Sequence, residues 1–118
     1  MHLLYLAVTA LTIAGTAGIA IADYLRVPAV LANSAEVHVP NGWLPWLATC
    51  KLAGALGLLI AAVTDTPGLA VAASLGLVVF FLSAVGFHIR ARVYYNIAFP
   101  GCYLACAAAT LVLAVTQL

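Results

Sequence analysis

Four apolar runs, each about as long as a membrane crossing, leave this chain little choice of fold. They cover roughly residues 3–22, 43–64, 67–87 and 100–118, with short breaks between them. A hydrocarbon core of about 30 Å takes ~20 helical residues to cross. Backbone inside lipid must also satisfy its own N–H and C=O groups. Helices do this alone, whereas a β-barrel needs strands of alternating polar and apolar residues, which the sequence lacks. The expected architecture is all-α, a four-transmembrane-helix bundle forming one domain over residues 1–118, with a short interfacial or re-entrant segment between the first two crossings.

Composition closes off the soluble alternatives. With 67% hydrophobic residues and a mean hydropathy of +1.22 in 118 residues, the chain carries more apolar surface than a small soluble domain can hide. A net charge of +1 with no basic stripe argues against nucleic acid as a partner; membrane lipid is the expected one. Cys50, Cys102 and Cys106 lie in apolar runs, where free cysteine commonly serves as a small apolar filler. Met1-His2-Leu3-Leu4 has no basic n-region, and the following run exceeds a signal core, so an uncleaved first helix is expected.

Along the chain, Thr9, Thr12, Thr16 and Asp23 share one helical face with Gly15 and Gly18 beside them. Small and hydroxyl residues gather where membrane helices touch, so this face should look inward. Residues 27–42 hold a short apolar helix from Val27 towards Glu36 and a turn at Pro40-Asn41-Gly42. Trp43, Pro45 and Trp46 open the second crossing at headgroup level. Asp65 and Thr66 should cap the third, and Gly68, Ala72 and Gly76 give it a packing stripe. Asn96, Tyr103, Thr110 and Gln117 recur every seven residues, which places a polar, inward stripe on the fourth. Both chain ends then lie on one side. Arg26, Arg90 and Arg92 lie on the other, so the positive-inside rule puts the loops at 23–43 and 89–98 in the cytoplasm of a bacterial plasma membrane.

The charged residues converge on that loop side. Lys51 stands eight positions into its helix, about 12 Å below Trp43. At such depth a lysine costs about 2.5–3.5 kcal/mol and needs a partner; Asp23 and Glu36 are the available carboxylates. His88 can act as base or acid near neutrality. Arg90 and Arg92 can hold developing negative charge, and Asp23 or Glu36 can activate water. Tyr24, Tyr94, Tyr95 and Tyr103 can donate hydrogen bonds to a ligand oxygen, with Arg26, Asn96 and Gly54 completing the candidate binding set. Against this stands the plainer possibility that Tyr, Trp and Arg at helix ends are interface anchors. For Glu36, His38, Arg92 and Tyr94 taken singly, anchoring is the favoured reading. No His pair at four-residue spacing suggests haem or zinc, so no metal is expected.

Two stretches resemble the DoxX-like family of small four-helix membrane proteins. Leu47-Ala48-Thr49-Cys50-Lys51-Leu52-Ala53-Gly54-Ala55-Leu56-Gly57-Leu58-Leu59, preceded by Pro45-Trp46, is similar to that family's second helix. Ala84-Val85-Gly86-Phe87-His88-Ile89-Arg90 resembles the close of its third. The resemblance covers most of the chain and implies the same four-helix layout. It also implies that Lys51, Gly54, His88 and Arg90 are the positions to carry over. Members look like partners of quinone- and thiol-linked oxidoreductases. Tyr94-Tyr95-Asn96 departs from the further charge often found at that point and suggests a site tuned to a neutral, oxygen-bearing lipophile.

The functional expectation is a polar pocket within the membrane for a lipophilic small molecule. Its first form is a cofactor-free hydrolase or isomerase using acid–base chemistry for hydration, epoxide opening or isomerisation, with Asp23 or His88 as base. Its second form is a quinone-binding accessory subunit of a membrane oxidoreductase. A homodimer is plausible through Gly54 and Gly57 or through the Gly68 stripe.

Overall fold

The computed structural model describes residues 2–118. It contains α1 (His2–Tyr24), α2 (Pro28–Glu36), a 3₁₀ turn at Asn41–Trp43, α3 (Leu44–Thr64), α4 (Pro67–Arg90) and α5 (Ala98–Thr116). Of these, α1, α4, α5 and the stretch Asn41–Thr64 are long and apolar enough to cross a membrane. The protein is therefore an integral, multi-pass membrane protein. Four of its five prolines stand in the first turn of a helix, at Pro28, Pro45, Pro67 and Pro100. A helix leaves its first amides unbonded anyway, so proline costs little there.

Four helix ends turn through a left-handed residue, and none of these residues is glycine. They are Arg26 (φ 52°), His38 (φ 62°), Asp65 (φ 51°) and Arg92 (φ 57°). Each is followed by an amide that bonds back into the last turn, namely Val27 to Ala22, Val39 to Ser34, Thr66 to Ala61 and Val93 to His88. This is the Schellman arrangement, which glycine normally occupies because it has no Cβ.

α1 packs against α3 and α5, and α4 packs against the same two. The order around the bundle is therefore α1, α3, α4, α5, with α1 and α4 on one diagonal. Both chain ends lie together, as the His2 Nδ1 to Gln117 Oε1 distance of 2.9 Å shows. Thr9, Thr12, Thr16 and Asp23 are all buried, so the inward face of the first helix is as expected. Thr12 Oγ1 lies 2.8 Å from Thr110 Oγ1 and ties α1 to α5. Tyr5, Leu58, Ala61, Ala70, Leu77, Phe81, Leu113 and Ala114 form the apolar core. That core fills the half of the bundle nearer the chain ends, and its members Leu77 and Phe81 border an open space on the loop side.

Several boundaries differ from expectation. α4 continues to Arg90 rather than stopping near Phe87, so His88 belongs to its last turn. α5 opens at Ala98 and leaves Asn96 in the preceding loop. Asp65 is the left-handed closure of α3 rather than a cap for α4. Thr66 makes no capping bond with its side chain, because its hydroxyl turns to Thr64. The Gly68-Ala72-Gly76 stripe does not pack on a neighbouring helix either: a Cβ at Gly68 or Gly76 would meet nothing within 4 Å. The close approach of α3 to α4 is made instead by Gly54 on Leu77 and Gly57 on Ala73. These two glycines thus serve the α3–α4 contact inside the bundle.

Candidate functional site

The loop half holds a cavity of about 1180 Å³. Its walls come from the end of α1, from α2, the first two-thirds of α3, nearly the whole length of α4 from Leu69 to His88, and the start of α5. Most of the wall is apolar, with Trp43, Phe80, Phe87, Phe99 and Tyr103 supplying aromatic surface. The cavity continues along the α3–α4 groove past Gly57, Ala73 and Gly76. α2 closes it from the loop side, through Ala29, Val30, Asn33 and Ser34 and then Val37.

Asp23, Lys51, His88 and Asn96 stand on this wall, with Asn33, Ser34, Ser83 and Tyr103 as its other polar side chains. Lys51 Nζ lies 2.5 Å from Asp23 Oδ2, with only 12% of the lysine side chain and 4% of the aspartate side chain exposed. The ammonium also stands 5.4 Å from the centre of the Phe80 ring, a favourable place for a cation. Of the two carboxylates open to Lys51, Asp23 is the partner. Removing two charges from water is costly, and only a close, well-formed pair offsets it.

His88 is 3% exposed. Its Nδ1 lies 3.1 Å from the carbonyl oxygen of Ala84, one turn back. A carbonyl can only accept, so Nδ1 carries a proton and donates it there. Nε2 is buried and has no partner among the described residues. Asn96 is similar: Nδ2 donates to Asn33 Oδ1 at 2.9 Å, while its own Oδ1 is buried and unpartnered. Buried polar atoms in proteins are nearly always satisfied. Four buried side-chain atoms lack a partner among the described residues, Thr9 Oγ1, Thr16 Oγ1, His88 Nε2 and Asn96 Oδ1, and the last two belong to residues that line the cavity.

The structure brings Asp23, Lys51, His88, Asn96, Gly54 and Tyr103 to the cavity and leaves the other candidates outside it. Gly54 lies on the wall, yet the room it leaves is taken by a neighbour: a Cβ there would stand 2.5 Å from Leu77 Cδ2. Arg90 is exposed, with its guanidinium 4.5 Å over the Phe87 ring. It lines a separate shallow depression of about 160 Å³ with Ser83 and Gly86. The reason is helical geometry, since residues two apart point about 200° away from each other and His88 faces inward. Arg26 and Arg92 are exposed at left-handed helix ends.

Tyr24 is bonded to Thr49 Oγ1 at 2.6 Å and joins α1 to α3. Glu36 accepts the Tyr95 hydroxyl at 2.5 and 2.7 Å, so this pair latches α2 to the α4–α5 loop. That bond, with smaller contributions from burial and the Glu36 charge, raises the Tyr95 phenol above the ordinary 10.0. Cys50, Cys102 and Cys106 are free thiols.

Sequence reasoning passed over Asn33 and Ser34 as part of the wall. The signal was present in Val30, Asn33, Ser34 and Val37, spaced at three and four residues, which marks one face of a helix. Phe80 beneath Lys51 and the Ala84 carbonyl beneath His88 carried no such signal.

No curated protein and no solved structure matches the chain. A family model, that of the DoxX-like family, matches residues 7–110.

Proposed function

Because the chain belongs to the DoxX-like family of membrane proteins, we propose that its cavity binds a lipophilic, oxygenated small molecule and performs acid–base chemistry on it. The observation that carries this reading is His88, a buried residue that lines the same cavity as the Lys51–Asp23 ion pair and whose Nε2 has no partner among the described residues. A base needs a free lone pair and a fixed tautomer, and the Ala84 carbonyl supplies the second. Asp23 is already committed to Lys51, which makes His88 the better base. The Lys51 ammonium is the positive charge available to a developing oxyanion in a dry site. In an epoxide opening, water gives its proton to Nε2 as its oxygen bonds to carbon. The ring C–O bond breaks, the new alkoxide is stabilised by Lys51, and it takes up the proton that Nε2 removed from water, which returns His88 to its starting form. No cofactor is needed for this, and the ligand is the only small-molecule partner required.

A second reading has its own support in the aromatic wall of Phe80, Phe87, Phe99 and Tyr103, which suits a planar ring. Here the protein is a quinone-binding accessory subunit of an oxidoreductase, and a soluble redox partner with bound quinone should co-purify. The acid–base reading is tested by turnover of lipophilic epoxides and of keto–enol pairs in nanodiscs. Turnover should be lost in His88→Ala with helicity unchanged. Full activity in both His88→Ala and Asp23→Asn would overturn it. We also propose that the loops at 23–43 and 89–98 face the cytoplasm of a bacterial plasma membrane, from Arg26, Arg90 and Arg92.

A further inference from the structure

The cavity is closed on one side and open on another, and the two sides meet different surroundings. Towards the loops it is covered by α2, which is fastened by the Tyr95–Glu36 and Asn96–Asn33 bonds. Towards the bilayer it is open. Its wall residues on α1 and α5 are buried or half-buried apart from Phe99, whereas α3 contributes exposed Cys50 and Ala53 and α4 contributes exposed Ala72, Gly76 and Val79. The two helices touch at Gly54 on Leu77 and at Gly57 on Ala73, and the opening is a groove beside that contact. A Cβ at Gly76 would meet nothing within 4 Å, so the groove is unfilled there. From this we infer that the cavity receives its ligand from the bilayer through a mouth between α3 and α4. The ligand is a neutral-headed, single-chain lipid amphiphile, with its chain in the groove and its head beside the Lys51–Asp23 pair.

This rests on the cavity being a ligand site and adds the ligand's class and its route. Phe80 stands under the Lys51 ammonium, and from Phe80 back to Leu69 the wall runs on for about 16 Å at ~1.5 Å per residue. With Ala53 and Gly57 opposite, that stretch carries no polar side chain, which suits methylenes. The volume of about 1180 Å³ exceeds the ~300–1,000 Å³ of ordinary small-molecule pockets, so a chain has room as well as a head. Lipid tails are as apolar as the groove, so a chain gains little by entering it and selection falls on the head. Lys51 and Asp23 already cancel each other's charge. An ionised head would therefore enter a mostly apolar cavity without a counter-charge, which is strongly unfavourable. A neutral, hydroxylated head finds both donors and acceptors among Asn33, Ser34, Asn96 and Tyr103.

The test uses the full chain in nanodiscs with a monoacylglycerol carrying a diazirine midway along its chain, beside its phosphocholine counterpart of the same chain. Labelled residues are mapped by peptide mass spectrometry, and specific labelling is the part removed by excess plain monoacylglycerol. The neutral probe should label α3 and α4 along the groove saturably, and about tenfold or more better than the charged-headed one. Gly76→Phe should plug the mouth and abolish that labelling with the melting temperature unchanged; Ala72→Phe is a second plug should the first disturb folding. Gly18→Phe, on the diagonally opposite helix and likewise facing open space, should leave labelling intact. Freeing α2 in Tyr95→Phe with Asn33→Ala should not quicken it. Saturable labelling that both plugs leave unchanged, or that quickens when α2 is freed, would overturn the mouth while leaving a ligand site in place. Equal saturable labelling by the phosphocholine probe would overturn the neutral head. Absence of saturable labelling by either probe would overturn the inference, and the ligand site with it if native mass spectrometry of the wild type also shows no bound adduct.

Discussion

At the scale of single residues, the sharpest feature is a charge pair held where neither charge could stand alone. Removing one partner leaves the other buried and uncompensated, which typically costs about 3–5 kcal/mol. Lys51→Met and Asp23→Asn should each lower the melting temperature in detergent strongly, and the double variant should recover a large part of the loss. Additive losses in that cycle would mean that the 2.5 Å contact carries no coupling. Gly54 offers a second test. Its Cβ would strike Leu77 at 2.5 and 2.7 Å, so Gly54→Ala should cost about 1–3 kcal/mol by overpacking. Gly54→Ala with Leu77→Ala should be more stable than the two separate effects predict. Arg26 and Arg92 occupy conformations that strain any residue with a Cβ. Replacing either by glycine should therefore leave stability unchanged or raise it by up to about 1 kcal/mol, as read by thermal unfolding.

At the scale of elements, α2 differs from the rest. It is a nine-residue helix bounded by left-handed turns at Arg26 and His38. Side-chain bonds from Tyr95 and Asn96 fasten it to the α4–α5 loop. Few other contacts hold it, so it should open at lower cost than the long helices. Hydrogen exchange across residues 28–39 should quicken in Tyr95→Phe combined with Asn33→Ala, with the four long helices unaffected. The latch also has a pH dependence of defined sign. The neutral phenol is the donor to Glu36, and this raises its value above the ordinary 10.0. The contribution is thus complete below pH 10 and lost as the pH climbs through the raised value. Protection of α2 should hold through pH 9 and fall above pH 10 in the wild type, but show no such step in Tyr95→Phe.

The latch also shows where sequence reading reached its limit. Apolar runs of membrane length and the threonine stripe of α1 were legible, because a period of 3.6 residues is a property of the chain alone. Lys51 announced that it needed a carboxylate, since depth carries a cost whatever the fold. Which carboxylate it takes is a matter of packing: Asp23 reaches it, while Glu36 is drawn off by Tyr95, fifty-nine residues away. Arg90 was misassigned for a similar reason. Two residues separate it from His88, and only the continuation of α4 through both puts them on opposite faces.

At the scale of the whole molecule, the bundle divides into two halves with different purposes. The half near the chain ends is filled by Tyr5, Leu58, Ala61, Ala70, Leu113 and Ala114. The loop half keeps a cavity of about 1180 Å³ whose polar atoms are few and are grouped. His88, buried in the last turn of α4, is the residue on that wall on which the acid–base reading turns. The measurement that tests this most directly is native mass spectrometry of the protein released from nanodiscs prepared from its expression membranes. The wild type should carry a neutral, lipophilic adduct, and His88→Phe should lose most of it while keeping its helicity and melting temperature. A wild-type chain that flies bare, or an adduct equally retained in His88→Phe, would contradict the account.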